Sequence, residues 1–136
     1  MDAEILWARG MVFVGKADSN HWTPMEAAPE FGGEGGAAKP LELLLIGLGG
    51  CTGMDVVSLL HKKRAPLTSL RMEIKAERAT DHPRVLKSIH LVYYVGGPEL
   101  KPGDAAEAVR LSQEKYCAVS AMLARSCPVT YEVKTE

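Results

Sequence analysis

The sequence predicts an α+β protein, on three patterns. Short extended runs broken by glycine occupy residues 3–25, as is typical of antiparallel strands. A long apolar stretch from Pro40 to about Arg64 predicts a single helix. Alternating runs at residues 70–77 and 89–95 predict a hairpin, and a second helical region and a closing strand follow it. Strands that are grouped before and after helices, rather than alternating with them, favour the α+β class.

The N-terminal segment predicts strands followed by a loop. Extended runs at Ile5–Trp7 and Met11–Val14 end at Gly10 and Gly15, which are typical strand boundaries. The stretch from Ala27 to Lys39 is rich in glycine, alanine and proline, and therefore predicts a loop. A loop of this length often borders a functional site. A plain connection between two elements is the alternative interpretation.

The long helix is the most informative segment. Pro40 suits a first helical turn, and Glu42 lies where an acidic side chain stabilises a helix start. The stretch is long enough to cross a bilayer, but its two acidic residues, Glu42 and Asp55, favour a buried core helix. Each helix-interior glycine costs about 1 kcal/mol relative to alanine, so the glycines indicate close packing or a close ligand. These glycines are Gly47, Gly49, Gly50 and Gly53.

The second half of the chain predicts a hairpin, a helix and a strand. Apolar residues alternate with charged ones between Leu70 and Glu77, as in a half-buried strand, and Asp81–Pro83 turns the chain toward its partner. Asp104 is expected to cap a helix that runs from Ala105 through Cys117 to about Arg125. The alternation at 129–133 predicts the closing strand.

Bulk properties restrict the class of protein. A chain of 136 residues with a 46% hydrophobic fraction is expected to form a single domain over residues 1–136. A net charge of −1 argues against a nucleic-acid-binding surface. The N-terminus has no signal-peptide pattern, so three cysteines suggest a reducing cytoplasm and no structural disulfides. Histidines and cysteines lack metal-ligand spacing, and no phosphate or dinucleotide motif appears, so we expect no metal and no cofactor.

Cys51 is a candidate reactive thiol because it lies among the helix glycines. A free thiol is mostly protonated at neutral pH, so nucleophilic chemistry needs a cationic or hydrogen-bonding neighbour. The local sequence supplies none, and Asp55, one turn later, would disfavour a thiolate that it faced. Activation must therefore come from another segment or another subunit. The alternative is a buried cysteine that packs as a small apolar side chain.

Two motifs resemble those of the OsmC/Ohr family, the osmotically inducible protein C and organic hydroperoxide resistance proteins. The run Pro40-Leu41-Glu42-Leu43-Leu44, followed by Gly49-Gly50-Cys51, resembles the family's central-helix signature. Glu114-Lys115-Tyr116-Cys117-Ala118-Val119-Ser120 resembles its second-cysteine motif, usually Cys-Pro-x-Ser, with Ala118 in place of proline. Cys127-Pro128 matches the letters of this second-cysteine motif better. A strand follows it immediately, however, so Cys117 is favoured as the second cysteine. The segment Trp7–Gly15, with the second motif, is similar to the YhfA-like branch.

The resemblance implies a fold, an activity and partners. The fold would place antiparallel sheets around a long central helix in an intertwined homodimer. The activity would be reduction of organic hydroperoxides, in which Cys51 attacks the peroxide and becomes a sulfenic acid. Cys117 would then form a disulfide with Cys51, and an external dithiol would reduce it. The implied partners are a second copy, a hydroperoxide and the reductant, with no nucleic acid and no membrane.

The resemblance also suggests Arg9 and Glu42 as groups that activate the thiolate. The family's activating arginine comes from the N-terminal strands, where Arg9 is the nearest candidate. On an unbroken helix, Glu42 and Cys51 would be about 13.5 Å apart on opposite faces. Two further hypotheses remain open: a non-enzymatic homodimer that binds a small apolar ligand near the glycine-rich helix, and a cysteine-based redox sensor without turnover.

Overall fold

The computed structural model describes residues 1–136, which form two compact units, Met1–Ile46 and Gly47–Glu136. The boundary between them falls within the long helix. The α+β class is confirmed: each unit contains a three-stranded sheet, and the long helix follows the first sheet in the chain. A single domain over 1–136 stays a prediction.

The first unit contains an antiparallel sheet with strand order β1-β2-β3. Its strands are β1 (Ala3–Arg9), β2 (Val12–Ala17) and β3 (Thr23–Glu26). A short 3₁₀ turn at Pro29–Phe31 opens the predicted loop. The loop is anchored by Glu26, because the backbone N–H groups of Glu34 and Gly36 donate to its carboxylate over 2.6 and 2.7 Å.

The first unit has no apolar core of its own. Its buried residues are Gly15 and Glu26 alone. Large apolar side chains of its strands instead remain accessible, including Ile5, Trp7 and Phe13. A three-stranded sheet needs an apolar face covered to be stable. This unit therefore requires a covering surface that its own residues do not supply.

The long helix α1 (Pro40–Lys62) begins as the sequence predicts. Pro40 occupies the first helical position, and the Glu42 carboxylate accepts the backbone N–H of Lys39 over 2.9 Å, which satisfies an otherwise free donor at the helix start. In length and composition α1 matches a membrane-crossing helix. One of its faces, with Leu48, Val56 and Leu60, is nevertheless fully buried in the second unit.

Two of the four helix glycines allow close packing of α1 on a strand. A Cβ atom at Gly49 would lie 3.2 Å from Ile74 Cδ1, and one at Gly53 would lie 2.9 Å from Met72 Cε. Within this chain, close packing does not explain the other two. A Cβ at Gly50 would come no nearer than 3.9 Å to Met54, and one at Gly47 has no neighbour within 4 Å.

The second unit contains a mixed sheet with strand order β4-β5-β6. The predicted hairpin is present as β4 (Ser69–Arg78) and β5 (Leu86–Gly96), which pair antiparallel. The closing strand β6 (Val129–Thr135) pairs parallel to β5, whereas antiparallel sheets were expected. The chain between β5 and β6 is helical, and such a helical connection is what returns a strand in the parallel sense.

The second helical region differs from the predicted continuous helix. It begins at Pro102, three residues before the expected start, so Asp104 lies in the first turn, bound to Lys63, and is not the cap. Helix α2 (Pro102–Leu111) leads into a π-helical turn at Ser112–Tyr116, and Cys117 then breaks the helix with extended backbone, at φ −72° and ψ 103°. A short helix α3 (Ala118–Leu123) follows.

The core of the second unit is formed by one face of α1, the inner face of β5 and α2. Its fully buried members come from all three elements, and the largest of them is a tyrosine on β5. They are Leu48, Val56, Leu60, Leu91, Tyr93, Val95, Ala105, Ala108 and Val109. This core packs α1 and the end of α2 together, which determines where Cys51 and Cys117 lie.

Candidate active site

The second unit brings Cys51 and Cys117 close together. Cys51 lies half-buried in the middle of α1, and Cys117 is 2% exposed at the break before α3. The Cys51 thiol lies near enough to Cys117 to raise the pKa of the Cys117 thiol. All three cysteines are free, and Cys127 is buried just before β6. The pair selected from the sequence is therefore adjacent in space.

The surroundings of Cys117 keep its thiol protonated. Burial raises its pKa to about 11, and the neighbouring Cys51 thiol and Asp55 charge act in the same direction. The Ser120 backbone N–H, which donates to the Cys117 sulfur over 3.4 Å, opposes them. At neutral pH Cys117 is thus a thiol, because a thiolate forms only near and above the pKa.

The break at Cys117 gives its side chain a defined direction. The π-helical turn before it is of a rare kind that occurs frequently at functional sites. Cys117 then acts as the N-cap of α3, accepting the Ser120 N–H through its sulfur. The side chain of Cys117 is thereby held against the first turn of α3.

A group of polar side chains surrounds the contact between α1 and the π-helical turn. Thr52, the residue after Cys51, is fully buried, with its hydroxyl 2.8 Å from the Tyr93 hydroxyl and 2.7 Å from that of Ser112. The Gln113 amide nitrogen donates to Thr52 Oγ1 over 3.1 Å and to the Tyr93 hydroxyl over 2.7 Å. Burial raises the pKa of Tyr93 to about 12, so it remains a neutral phenol.

The same group extends to α1 on one side and to α3 on the other. The Ser112 hydroxyl donates to the Asp55 carboxylate over 2.9 Å, and the Ser120 hydroxyl donates to the Gln113 side-chain oxygen over 2.5 Å. We refer to these side chains as the polar network. Its members are Thr52, Asp55, Tyr93, Ser112, Gln113 and Ser120.

Sequence reasoning did not identify the polar network as part of a site. Thr52 and Asp55 interrupt an apolar helix, and Tyr93 interrupts an apolar strand. These interruptions are signals of buried polar groups, which must find partners. The π-helical turn carries no comparable signal, so the convergence of Ser112 and Gln113 on Thr52 required the tertiary structure.

Arg9 and Glu42, the suggested activating residues, lie in the first unit and have partners there. The Arg9 guanidinium is 3.9 Å from the Glu34 carboxylate, and both side chains are exposed. Glu42 is bound by Lys39, whose backbone N–H and ammonium hold the pKa of the Glu42 carboxyl below its ordinary value. A role for either residue at Cys51 stays a prediction.

An open cleft of about 920 Å³ lies on the side of α1 that carries its exposed residues. Its walls are largely apolar and come from α1 and β4. They include Gly50, Met54 and Val57 from α1, and Leu70 and Met72 from β4. Nowhere do three histidine, cysteine or acidic side chains meet as a metal site requires. The cleft is thus suited to an apolar surface or ligand.

The chain is similar to proteins of one family along most of its length. The sequence profile described as "OsmC-like protein" matches residues 33–132. Protein YhfA of Escherichia coli K12 is 38% identical over 136 residues, and the match covers 98% of each chain.

Solved structures of this family have the same fold. The OsmC-like protein from Mycoplasma pneumoniae matches with a TM-score of 0.84 at 17% identity, covering 98% of this chain and 95% of that one. The organic hydroperoxide resistance protein OhrB of Bacillus subtilis matches with a TM-score of 0.66 at 18% identity, covering 98% of each chain. At such identities the two structures establish the fold alone.

Proposed function

Because this chain belongs to the OsmC family and fits its YhfA-like branch, we propose that it reduces organic hydroperoxides through Cys51 and Cys117. The observation that carries the proposal is the proximity of the two thiols, which two separate elements bring together. One relative of the same fold is named an organic hydroperoxide resistance protein. A peroxide reductase that cycles through a disulfide requires at least two thiols that lie close together.

The first step oxidises Cys51. Its thiolate attacks the hydroperoxide, the O–O bond breaks, and the departing alkoxide takes up a proton to become an alcohol. The sulfur retains the other oxygen as a sulfenic acid, so one thiol and one hydroperoxide give one sulfenic acid and one alcohol. Cys51 is the peroxidatic residue because it is the more accessible of the pair.

The second step forms the disulfide. The Cys117 sulfur attacks the Cys51 sulfur, the S–O bond breaks, and the departing hydroxide combines with the Cys117 proton as water. Because burial raises the pKa of Cys117, its thiol is protonated at neutral pH and must release this proton before the sulfur attacks. An external dithiol then reduces the disulfide and is itself oxidised, which restores both thiols. No metal or organic cofactor takes part.

The functional form of the proposed enzyme is a homodimer, which contains a second copy of the chain. Two observations support this: the first unit leaves its apolar strands accessible, and the second leaves an open apolar cleft beside Met54, which is 73% exposed. Surfaces of this kind are typical of obligate interfaces. The second copy would also supply the cation that stabilises the Cys51 thiolate. Arg9 is the candidate for this cation, and Glu42 is the acid that would orient the Arg9 side chain. The cytoplasm is the proposed location, since both thiols must stay reduced between turnovers.

The test is consumption of cumene hydroperoxide in the presence of a dithiol reductant. We expect steady turnover by the parent protein and none by Cys51→Ser. Cys127→Ser is the matched control, because it makes the same change at the third free thiol, which is buried just before β6, and it should retain the parent rate. Absence of turnover with lipoyl, thioredoxin-type and small dithiols alike would contradict the proposal.

A second candidate function is binding of a small apolar ligand without turnover, which the 920 Å³ cleft favours. A fatty-acid or aromatic probe would then bind with the same affinity to the parent and to Cys51→Ser. In a redox sensor, the third possibility, the disulfide would form once per oxidant without catalytic turnover. Turnover counted per protein molecule separates these functions: many for an enzyme, one for a sensor and none for a binding protein.

A further inference from the structure

The polar network connects the two segments that carry the cysteines. Thr52 and Asp55 extend from α1 beside Cys51, whereas Ser112 and Gln113 belong to the π-helical turn that ends at Cys117. Ser120 in α3 donates its hydroxyl to Gln113 and its backbone N–H to the Cys117 sulfur. Thus each element that positions a reactive sulfur is bound to the same set of side chains.

The donors and acceptors of the network fix the direction of its hydrogen bonds. Ser112 has one hydroxyl proton and donates it to Asp55, so the Thr52 hydroxyl must donate to Ser112. The Tyr93 hydroxyl in turn donates to Thr52, which also accepts from Gln113. The order of donation is therefore Tyr93 to Thr52 to Ser112 to Asp55.

In this order the network offers no hydroxyl proton to Cys117. Every hydroxyl proton on the path is donated toward Asp55, and none toward the Cys117 sulfur. The one link from the network to the Cys117 sulfur is the Ser120 backbone N–H, which donates and does not accept. A hydrogen-bonded network whose central members, Thr52, Tyr93 and Ser112, are buried makes the elements that it joins rigid.

We propose that the polar network positions Cys117 for disulfide formation, with Thr52 and Gln113 as its central positioning residues. By binding the π-helical turn to α1, it holds the Cys117 sulfur near Cys51 and raises the effective concentration of one thiol at the other. The role of the polar network in turnover rests on the proposed function. Its effect on the disulfide equilibrium does not, because that equilibrium concerns the two thiols alone.

The experiment measures the equilibrium between the dithiol and the disulfide in glutathione buffers. In that reaction the two thiols and one oxidised glutathione give the protein disulfide and two reduced glutathiones. A Cys127→Ser background leaves one intramolecular pair. The variant Thr52→Val keeps the side-chain shape and removes the hydroxyl, while Thr52→Ser keeps the hydroxyl. Thr130→Val makes the same change at an exposed site on β6 and is the matched control.

We expect Thr52→Val to lower the equilibrium constant for the disulfide about tenfold, which makes the reduction potential about 30 mV less negative. Thr52→Ser and Thr130→Val should stay within about twofold of the parent. A network that merely stabilises the fold would lower the melting temperature of Thr52→Val and leave the potential unchanged. An unchanged or more negative potential would overturn the proposal.

Two further measurements keep the result decisive. If Thr52→Val does not fold, Ser120→Ala takes its place, since it removes the donor to Gln113 at the other end of the network. After a pulse of cumene hydroperoxide, the folded variant should accumulate more dimedone-reactive sulfenic acid than the parent. If the parent consumes no hydroperoxide, the proposed function fails, but the glutathione equilibrium still tests the positioning role.

Discussion

The Cys117 thiol lies beside Cys51, and burial raises its pKa to about 11. The pair therefore contains one half-buried sulfur and one buried, protonated sulfur. This asymmetry assigns the order of events in the proposed cycle, because the oxidant reaches the more accessible sulfur first. The buried partner then acts only on the oxidised product.

The variant Cys117→Ser should stop the cycle after its first step. Cys51 needs no second thiol to attack a hydroperoxide, so the sulfenic acid forms and persists. Mass spectrometry after treatment with a dimedone-type probe should show one adduct per chain, located at Cys51. The matched variant Cys127→Ser should show no excess adduct over the parent. A Cys117→Ser protein without any adduct would contradict the assignment of Cys51 as peroxidatic.

The rate of disulfide formation should increase with pH. Below a pKa of about 11, the thiolate fraction of Cys117 rises about tenfold for each pH unit. Rapid-mixing experiments that follow loss of the sulfenic acid should therefore give a slope near one in a plot of log rate against pH between about pH 7 and 9. A flat profile would mean that Cys117 does not react as its thiolate, and would contradict this prediction.

The glycines of α1 should separate into two classes. Gly53→Leu would place a large side chain against Met72 and Leu70, and overpacking of this kind costs about 1–3 kcal/mol in the free energy of unfolding. Gly50→Leu meets no such neighbour within the chain, so it should act only through an interface. Gly47→Ala, with open space around its Cβ, should stabilise the protein by up to about 1 kcal/mol.

Denaturant unfolding at several protein concentrations distinguishes the classes. The loss in Gly53→Leu should be the same at every concentration, because its cause lies within one chain. The loss in Gly50→Leu should grow on dilution, because its cause is weaker association. Equal, concentration-independent losses for both variants would show that the packing around Gly50 is not as open as the structure indicates.

Much of the fold follows from local patterns. The alternation in β4 and β5, the apolar run of α1 and the acidic residue at its start are local features, and they predicted these elements within a few residues. The four helix glycines also predicted close packing, and the structure shows it at two of them, Gly49 and Gly53. The two kinds of glycine are identical in sequence and differ only in what faces them.

Features that depend on distant residues were not predictable. The sequence predicts a continuous helix through Cys117, because no glycine or proline interrupts residues 105–125. The break there is stabilised by tertiary bonds, among them the Ser112 and Gln113 contacts with Thr52. The parallel pairing of β6 likewise depends on the path of the chain between β5 and β6. The adjacency of Cys51 and Cys117 came from the family resemblance, not from spacing.

The protein should sediment as a dimer at micromolar concentration. Ile46 on α1 is apolar and 63% exposed, so Ile46→Lys should weaken association by placing a charge in an apolar interface. Val85→Lys is the matched control, because Val85 is 56% exposed at the tip of the β4–β5 hairpin. Sedimentation velocity should show dimer for the parent and the control, and monomer for Ile46→Lys. A stable monomeric parent would contradict the dimer.

Glu26 should control the order of the loop that follows β3. Its buried carboxylate accepts the backbone N–H groups of Glu34 and Gly36, which hold its pKa below the ordinary value of 4.5. Glu26→Gln replaces one acceptor oxygen by a donor, so one of these amides loses its partner. Hydrogen exchange at the two amides should become about tenfold faster or more. Glu30→Gln, at an exposed glutamate in the same loop, should leave them unchanged.

The pH dependence of stability gives an independent test of the same anchor. A carboxyl whose pKa is lowered in the folded state contributes stability that is present above its unfolded pKa of about 4.5 and is lost as the pH falls through the lower folded value. The free energy of unfolding of the parent should therefore decrease below pH 4.5 more steeply than that of Glu26→Gln. Chemical denaturation at pH 3, 4, 5 and 7 would measure both slopes. Parallel profiles would show that the Glu26 charge does not hold the loop, whereas converging profiles at low pH would locate the anchor at this carboxylate.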